Sequence, residues 1–166
     1  ATGFVMGGGI GLLAGASHRI VTETSRLAMP EISIGLYPDV GGSWLLSRLG
    51  HVGLFLGMTG AQINAADALS TQLASHALAS GTRHDVINAL TQLDWDEDTQ
   101  AHSHQISQLL IRYQLSDVAQ GQLDIGAAEI EQRTTATDLR QLNQQLIQPS
   151  HNAWLHKAAM TLKRGS

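Results

Sequence analysis

The 166-residue chain is the size of one domain, and 43% of its residues are hydrophobic, which is enough to build a core. Its net charge of −4 gives no basis for nucleic-acid binding, and the lack of cysteines excludes a disulfide framework, a zinc-thiolate site or a thiol nucleophile. Since no apolar run approaches the roughly 20 residues of a membrane span and no signal peptide is visible, we expect a cytoplasmic protein.

The first 80 residues predict an α/β segment in which short strands and helices alternate. Strands are expected at residues 4–6, 18–22 and 26–29. Helices are expected at 10–16, as a buried helix, at 41–49, at 52–58, and after Asn64, which is a suitable N-cap.

Residues 81–166 form a second predicted region, which is helical. Four apolar stripes at helical spacing support it, and each is expected to pack against a core. The stripes are Val86/Leu90/Leu93, Ile106/Leu109/Leu110/Tyr113, Leu139/Leu142/Leu146 and Trp154/Ala158/Leu162. The acidic run 94–98 predicts a solvated loop before a helix that begins near Thr99.

A glycine loop, residues 7–11, follows the first strand and opens a helix. One interpretation is a dinucleotide site, since Gly9-x-Gly11-x-x-Ala14 fits G-x-G-x-x-G/A, but no apolar strand ends in an acid at the required distance. The other interpretation is an oxyanion hole, in which a glycine N–H stabilises negative charge on a carbonyl oxygen. A tight turn that binds no ligand is a further possibility.

Two carboxylates, Glu31 and Asp39, follow this loop among apolar residues, prolines and glycines. A carboxylate in such surroundings is costly unless it is paired, which is typical of a catalytic acid or base. Two structural alternatives remain at this point. Asp39 is also suited to cap the helix that starts at 41–42, and Glu31 is also suited to a surface turn.

Glycine loop and acids together resemble the crotonase superfamily. Its pattern of strand, G-G-G, helix, two strands and P-E-x-x-x-G-x-x-P-x-x-G-G is present at 4–42, and its T-G-x-x-x-x-A-x-x-A stretch is present at 59–68. The resemblance implies a partial crotonase-like ββα spiral core, residues 1–80, followed by the helical region. It also implies an acyl-CoA substrate, of which coenzyme A is a part, and no separate cofactor.

Within that superfamily, the residues Gly11, Glu31 and Asp39 resemble the 3-hydroxyisobutyryl-CoA hydrolases of valine catabolism. These share G-G-G-x-G-L and M-P-E-x-x-I-G-L-x-P-D-V-G-G with residues 7–12 and 29–42. Residues 73–76 resemble their A-T-H segment, although Gln72 replaces the glycine expected before it. The resemblance implies Glu31, Asp39 and Gly8 as catalytic residues. It implies substrate contacts at Gly7, Gly8, Gly9, Gly11, Leu36 and Pro38.

Other functions stay open. A hydratase with two glutamates is disfavoured, because Gly11 stands where such enzymes carry the first one, but an isomerase with a single acid fits. The chain looks truncated at both ends, so a non-catalytic module is a further alternative, and a homo-oligomer is possible. The eight histidines show no metal-ligand spacing, and no G-x-S-x-G elbow is present. We therefore expect no metal, no membrane and no nucleic-acid partner.

Overall fold

The computed structural model describes residues 1–95 and 99–165. The strands are β1 (Phe4–Met6), β2 (Ile20–Thr22), β3 (Arg26–Ala28) and β4 (His76–Leu78). The helices are α1 (Gly8–Ala14), α2 (Gly42–Ser47), α3 (Gly50–Thr59), α4 (Ala65–Ser70), α5 (Arg83–Thr91), α6 (Thr99–Ile111), α7 (Gln122–Arg133), α8 (Leu139–Leu146) and α9 (Ala153–Gly165). Two 3-10 helices span Pro30–Ile34 and Ser80–Thr82.

The strands form two parallel pairs. β1 pairs with β3, with Val5 opposite Leu27, and β2 pairs with β4, with Val21 opposite Ala77. Parallel pairing requires a crossover connection, which α1 supplies between β1 and the β2–β3 turn. The predicted α/β segment followed by helices is confirmed. β4 lies in a segment for which the sequence predicted no strand, and α7 lies in the predicted helical region but outside its four apolar stripes.

One main core joins the two predicted regions. Buried Val21, Leu27 and Phe55 belong to the same cluster as Ile130 and Leu155. The helices after residue 80 therefore pack onto the strands and helices before it. The division near residue 80 stays a prediction about organisation.

Three of the four apolar stripes pack as predicted. Those of α5 and α6 meet in a second cluster around Val86 and Leu110, and that of α9 buries Ala158 and Leu162 in the main core. In α8 the prediction is wrong for Leu139, which is 65% exposed at the first helical residue. The acidic run extends through residues 96–98, outside the described residues.

The prediction that the first helix is buried is wrong in part. Ile10 of α1 is buried, but Leu12 is 84% exposed, because one face of the helix points away from the core. Phe4, Tyr37 and Val40 are also largely exposed. Large apolar side chains therefore lie at the surface near the glycine loop.

Asp67 joins α4 to α7. Asn64 caps α4 as predicted, accepting from the Asp67 N–H at 3.0 Å, while the Asp67 carboxylate accepts from the Asn64 N–H at 3.1 Å. Its second oxygen accepts from the Leu123 N–H at 2.9 Å in the first turn of α7. The carboxylate is fully buried and satisfied by backbone donors, so it orients α7 on the core.

A pair of stacked histidines links α6 to the strands. The imidazole rings of His18 and His76 lie with their centroids 5.9 Å apart. His18 Nε2 lies 2.9 Å from Ser107 Oγ and 3.2 Å from the Ser103 carbonyl oxygen, both on α6. Partial burial, and then the neighbouring His18, lower the pKa of His76.

We predict that this pair makes the protein less stable in mild acid. The folded-state pKa of His76 lies below its unfolded value of about 6.5, so the unfolded chain binds protons more readily. The free energy of unfolding should be highest above that value and should fall as the pH drops below it. Urea unfolding at pH values above and below about 6.5 measures this change in the free energy of unfolding. His76→Gln should make the free energy of unfolding depend less on pH. His151→Gln, which replaces an exposed histidine, should leave the wild-type slope, and an unchanged slope in His76→Gln would contradict the prediction.

Candidate active site

Gly7 brings the glycine loop against the carboxylate of Glu31. Its N–H donates to the Ala28 carbonyl at 2.9 Å, which continues the β1–β3 pairing, and its φ of +50° is one that other residues rarely adopt. A Cβ at Gly7 would lie 2.5 Å from Glu31 Oε1. Only glycine therefore allows the carboxylate to approach the loop this closely.

Gly8 begins α1 and is exposed. A Cβ added there would meet no atom within 4 Å. N–H groups of a first helical turn lack partners within the helix, and among the described residues no acceptor takes the Gly8 N–H. The loop thus leaves the Gly8 N–H without a protein acceptor in the described part of the chain, one residue from the contact with Glu31.

Gly9 lies on a different side of the loop. A Cβ there would stand 3.5 Å from Val5 Cγ1, an ordinary contact with the preceding strand. Of the three consecutive glycines, Gly7 contacts Glu31 and Gly8 faces open space. A substrate contact at Gly9 stays a prediction.

Glu31 is the second residue of the Pro30–Ile34 3-10 helix and is half-buried. Its backbone carbonyl accepts from the Leu36 N–H at 3.0 Å, which fixes the end of this helix. Its Oε2 atom is buried and has no hydrogen-bond partner in the described part of the chain. Because buried polar atoms in native proteins are nearly always paired, an unpaired carboxylate oxygen indicates a functional position.

Asp39 lies in the loop before α2, and its side chain is exposed. The alternative that it caps α2 is wrong, since Gly41 is the N-cap and no side chain caps that end. Its backbone carbonyl instead accepts from the Gly42 N–H at 2.6 Å. Within residues 1–95 and 99–165 no group binds its carboxylate, which is therefore available to a ligand.

Val40, next to Asp39, has a φ of +45°, and Gly41 follows with +83°. A β-branched residue rarely adopts such a conformation, so sequence reasoning did not single out Val40. The conformation turns the backbone between Asp39 and α2. Close packing of α2 on α3 at Gly53, where a Cβ would overlap Leu46, keeps α2 in place behind this turn.

Gly11 brings the Asp39 loop to the same helix that contacts Glu31. A Cβ at Gly11 would lie 3.8 Å from the Val40 carbonyl oxygen, an ordinary contact. Gly7 stands immediately before α1 as its N-cap, and Gly11 lies within the helix. The segments that carry the two acids therefore both approach the N-terminal part of α1.

Leu36 and Pro38 line a groove beside these segments. Leu36 is exposed, whereas Pro38 is buried and its carbonyl accepts from both the N–H and the hydroxyl of Ser43, at 3.0 and 2.5 Å. The groove is largely apolar. Its walls also include Ile32, Tyr37, Leu46, Ser47, Gly50, Gly53, Leu54, Gly57 and Met58. Substrate contacts at Leu36 and Pro38 stay predictions.

Comparison with known families covers the entire chain. Residues 1–166 match the profile of the enoyl-CoA hydratase/isomerase family. The chain belongs to this family. The resemblance inferred from the glycine loop and the acids is thereby confirmed, and the dinucleotide-binding interpretation of residues 9–14 is not needed.

Curated relatives of this family member include 3-hydroxyisobutyryl-CoA hydrolase 1 of Arabidopsis thaliana, which is 34% identical over 99% of the chain and 43% of its own length. The mitochondrial 3-hydroxyisobutyryl-CoA hydrolase of Gallus gallus is 45% identical over 48% of the chain and 21% of its own length. The chain thus spans less than half the length of the curated relatives that it matches.

Solved structures agree on the fold. An enoyl-CoA hydratase from Rhodobacter sphaeroides superposes with a TM-score of 0.74 and 33% identity, over 98% of this chain and 43% of that one. A carnitinyl-CoA dehydratase from Mycobacterium thermoresistibile superposes with a TM-score of 0.73 and 31% identity, over 96% of this chain and 44% of that one. The family member therefore has part of a crotonase fold.

The described residues offer neither a metal-binding cluster nor a membrane-spanning helix. No cluster of three or more histidine, aspartate or glutamate side chains there could hold a metal ion. No helix in residues 1–95 and 99–165 is both long enough and apolar enough to cross a membrane.

We predict that Gly7→Ala destabilises the protein and displaces Glu31. The positive φ alone costs about 1–2 kcal/mol for a residue with a Cβ, and the new methyl group would also collide with the Glu31 carboxylate. Thermal and urea unfolding measure the loss. Gly9→Ala is the matched control, since Gly9 lies within α1 and its Cβ would make only an ordinary contact with Val5 of β1. Equal stability of the two variants would contradict the assignment.

Proposed function

We propose that the protein hydrolyses an acyl-CoA thioester, and that 3-hydroxyisobutyryl-CoA is its substrate. The observation that carries the proposal is the buried, unpaired Oε2 atom of Glu31, beside a glycine loop in which the Gly8 N–H has no protein acceptor among the described residues. The acyl group is suggested by the names of the Arabidopsis thaliana and Gallus gallus relatives.

The Gly8 N–H would polarise the thioester carbonyl. Addition to the carbonyl carbon moves an electron pair onto the oxygen, and a donor already oriented toward that oxygen stabilises the charge. Loss of one such donor typically costs on the order of 10²–10³ in rate. In this proposal Gly8 supplies one half of an oxyanion hole.

Glu31 would act in one of two ways. As a nucleophile its carboxylate attacks the carbonyl carbon, the C–S bond breaks, coenzyme A leaves as the thiolate, and water then hydrolyses the mixed anhydride. As a general base it takes a proton from a water whose oxygen forms the new C–O bond while the C–S bond breaks. Both routes yield the free acid and coenzyme A.

Asp39 would orient the 3-hydroxyl of the substrate or the water. Its carboxylate is exposed, takes no part in capping α2, and lies in the segment that contacts Gly11. An acceptor at this position would restrict the acyl group to orientations in which the carbonyl meets Glu31.

A second candidate is an isomerase or hydratase of the same family. The structures from Rhodobacter sphaeroides and Mycobacterium thermoresistibile carry hydratase and dehydratase names and match nearly the whole chain. Against a hydratase with two glutamates stands Gly11, which contributes no carboxylate. A non-catalytic crotonase-like module is the remaining alternative.

Glu31→Gln should abolish most hydrolysis. The amide keeps the shape of the side chain but is neither a base nor an effective nucleophile, so the rate should fall on the order of 10²–10⁴. The release of free coenzyme A thiol from 3-hydroxyisobutyryl-CoA measures the rate of hydrolysis. Glu131→Gln, an exposed carboxylate on α7, is the matched control and should keep wild-type activity.

Two results would contradict the hydrolase. Hydration of crotonyl-CoA by the wild type without thiol release would favour the hydratase. Binding of acyl-CoA without turnover would favour the non-catalytic module.

Asp39→Asn should reduce hydrolysis of 3-hydroxyisobutyryl-CoA by at least about tenfold and should leave stability unchanged, since no described group binds the carboxylate. Isobutyryl-CoA, which lacks the hydroxyl, separates the two roles. If Asp39 holds the 3-hydroxyl, the variant loses activity mainly on the hydroxylated substrate; if it orients water, both substrates lose equally. Asp124→Asn on α7 is the control, and wild-type rates on both substrates in Asp39→Asn would exclude either role.

A further inference from the structure

A second cavity, of about 420 Å³, lies between β3, the segment 60–64, α7 and α9. Pro30 and Ser33 of the 3-10 helix line it, whereas Glu31, between them in sequence, contacts Gly7. The remaining lining combines basic and polar side chains with apolar residues. It consists of Arg26, Gly60, Ala61, Gln62, Ile63, Asn64, Gln122, Trp154, Lys157, Ala158 and Thr161.

Two cations from different elements meet at this cavity without a carboxylate. Arg26 lies on β3 and Lys157 on α9, and no Asp or Glu lines the cavity. In the described part of the chain neither cation forms an ion pair. The chain carries 14 acidic against 10 basic side chains, so a shortage of acids does not explain the unpaired cations.

Arg26 is held in a way that leaves donors free. Its Nη1 donates to the Ser25 carbonyl at 2.7 Å and to the Glu23 carbonyl at 3.1 Å. These bonds orient the guanidinium, and no described group binds its Nη2 or Nε. A planar guanidinium with free N–H groups is well suited to bind two oxygens of one anion.

The walls of the cavity are fixed by other hydrogen bonds. The Trp154 indole N–H donates to the Gln62 carbonyl at 2.7 Å, and the ring packs on Phe55 with centroids 5.4 Å apart. Asn64 Nδ2 donates to the Gln120 carbonyl at 2.9 Å. In the described residues the side-chain amides of Gln62 and Gln122 have no partner, so they add two free neutral donors.

We propose that this cavity binds a small oxyanion, a phosphate- or carboxylate-bearing molecule, through Arg26 and Lys157. Two unpaired cations attract the charge, free amides supply further donors, and the volume matches a small molecule. The site is independent of the proposed thioester chemistry, since Glu31 and Asp39 do not line it.

Calorimetric titration of the protein with pyrophosphate and with citrate at low ionic strength tests this site. We expect at least one probe to bind at a single site. Tighter binding of pyrophosphate would indicate a phosphate-bearing ligand, and tighter binding of citrate would indicate a carboxylate-bearing one. Arg26→Gln/Lys157→Gln should weaken binding at least about tenfold, the factor that corresponds to about 1.4 kcal/mol. Arg112→Gln/Lys163→Gln removes the same charge outside the cavity and should bind as the wild type does.

Further measurements locate the binding. The Trp154 indole N–H resonance should shift on titration, and Glu31→Gln should bind the probe unchanged. The single variant Lys157→Gln leaves β3 untouched and should also weaken binding. The Lys157 ammonium forms no hydrogen bond or ion pair with a described residue, so its replacement should not disturb the fold. No binding of either probe, or equal affinity in the cavity and control variants, would overturn the proposal.

Discussion

The close approach of the Glu31 carboxylate to Gly7 is the contact on which the rest of the site depends. Gly7 extends the pairing of β1 with β3, because its N–H donates to the Ala28 carbonyl. Glu31 follows Ala28 by three residues in the chain. The register of β1 against β3, the conformation of Gly7 and the position of the Glu31 carboxylate are therefore coupled. A one-residue slip of β1 against β3 would remove the contact and move the side chains of β1 to the opposite face of the sheet.

The main core holds this contact from behind. A Cβ at Gly60 would lie 3.1 Å from the Pro30 Cα atom, so the end of α3 packs directly on the 3-10 helix that carries Glu31. Helix α9 packs on the same 3-10 helix, and Asp67 fixes the start of α7 at the far side of the core. The helical region thus supports the segment that carries the family motif, although it contributes none of the residues proposed for the thioester site.

Local sequence signals predicted the parts of the fold that local physics determines. The apolar run before the glycines gave β1, Asn64 gave the cap of α4, and helical spacing gave α5, α6 and α9. The side-chain pattern did not predict β4, because three residues carry no measurable alternation and its partner, β2, lies more than 50 residues earlier in the chain. The exposure of Leu12 and Leu139 depends on which helix face meets the core, which periodicity alone does not decide.

The left-handed conformation of Val40 has a consequence for the loop that carries Asp39. A β-branched residue at φ +45° stores conformational energy on the order of 1–3 kcal/mol, a sizeable part of the 5–15 kcal/mol by which typical domains are stable. Such a conformation persists only where surrounding contacts impose it, here the bond from the Gly42 N–H and the packing of α2 on α3. The backbone of the Asp39 loop is thus set by the tertiary structure against the conformational preference of Val40, and loosening of α2 would release it.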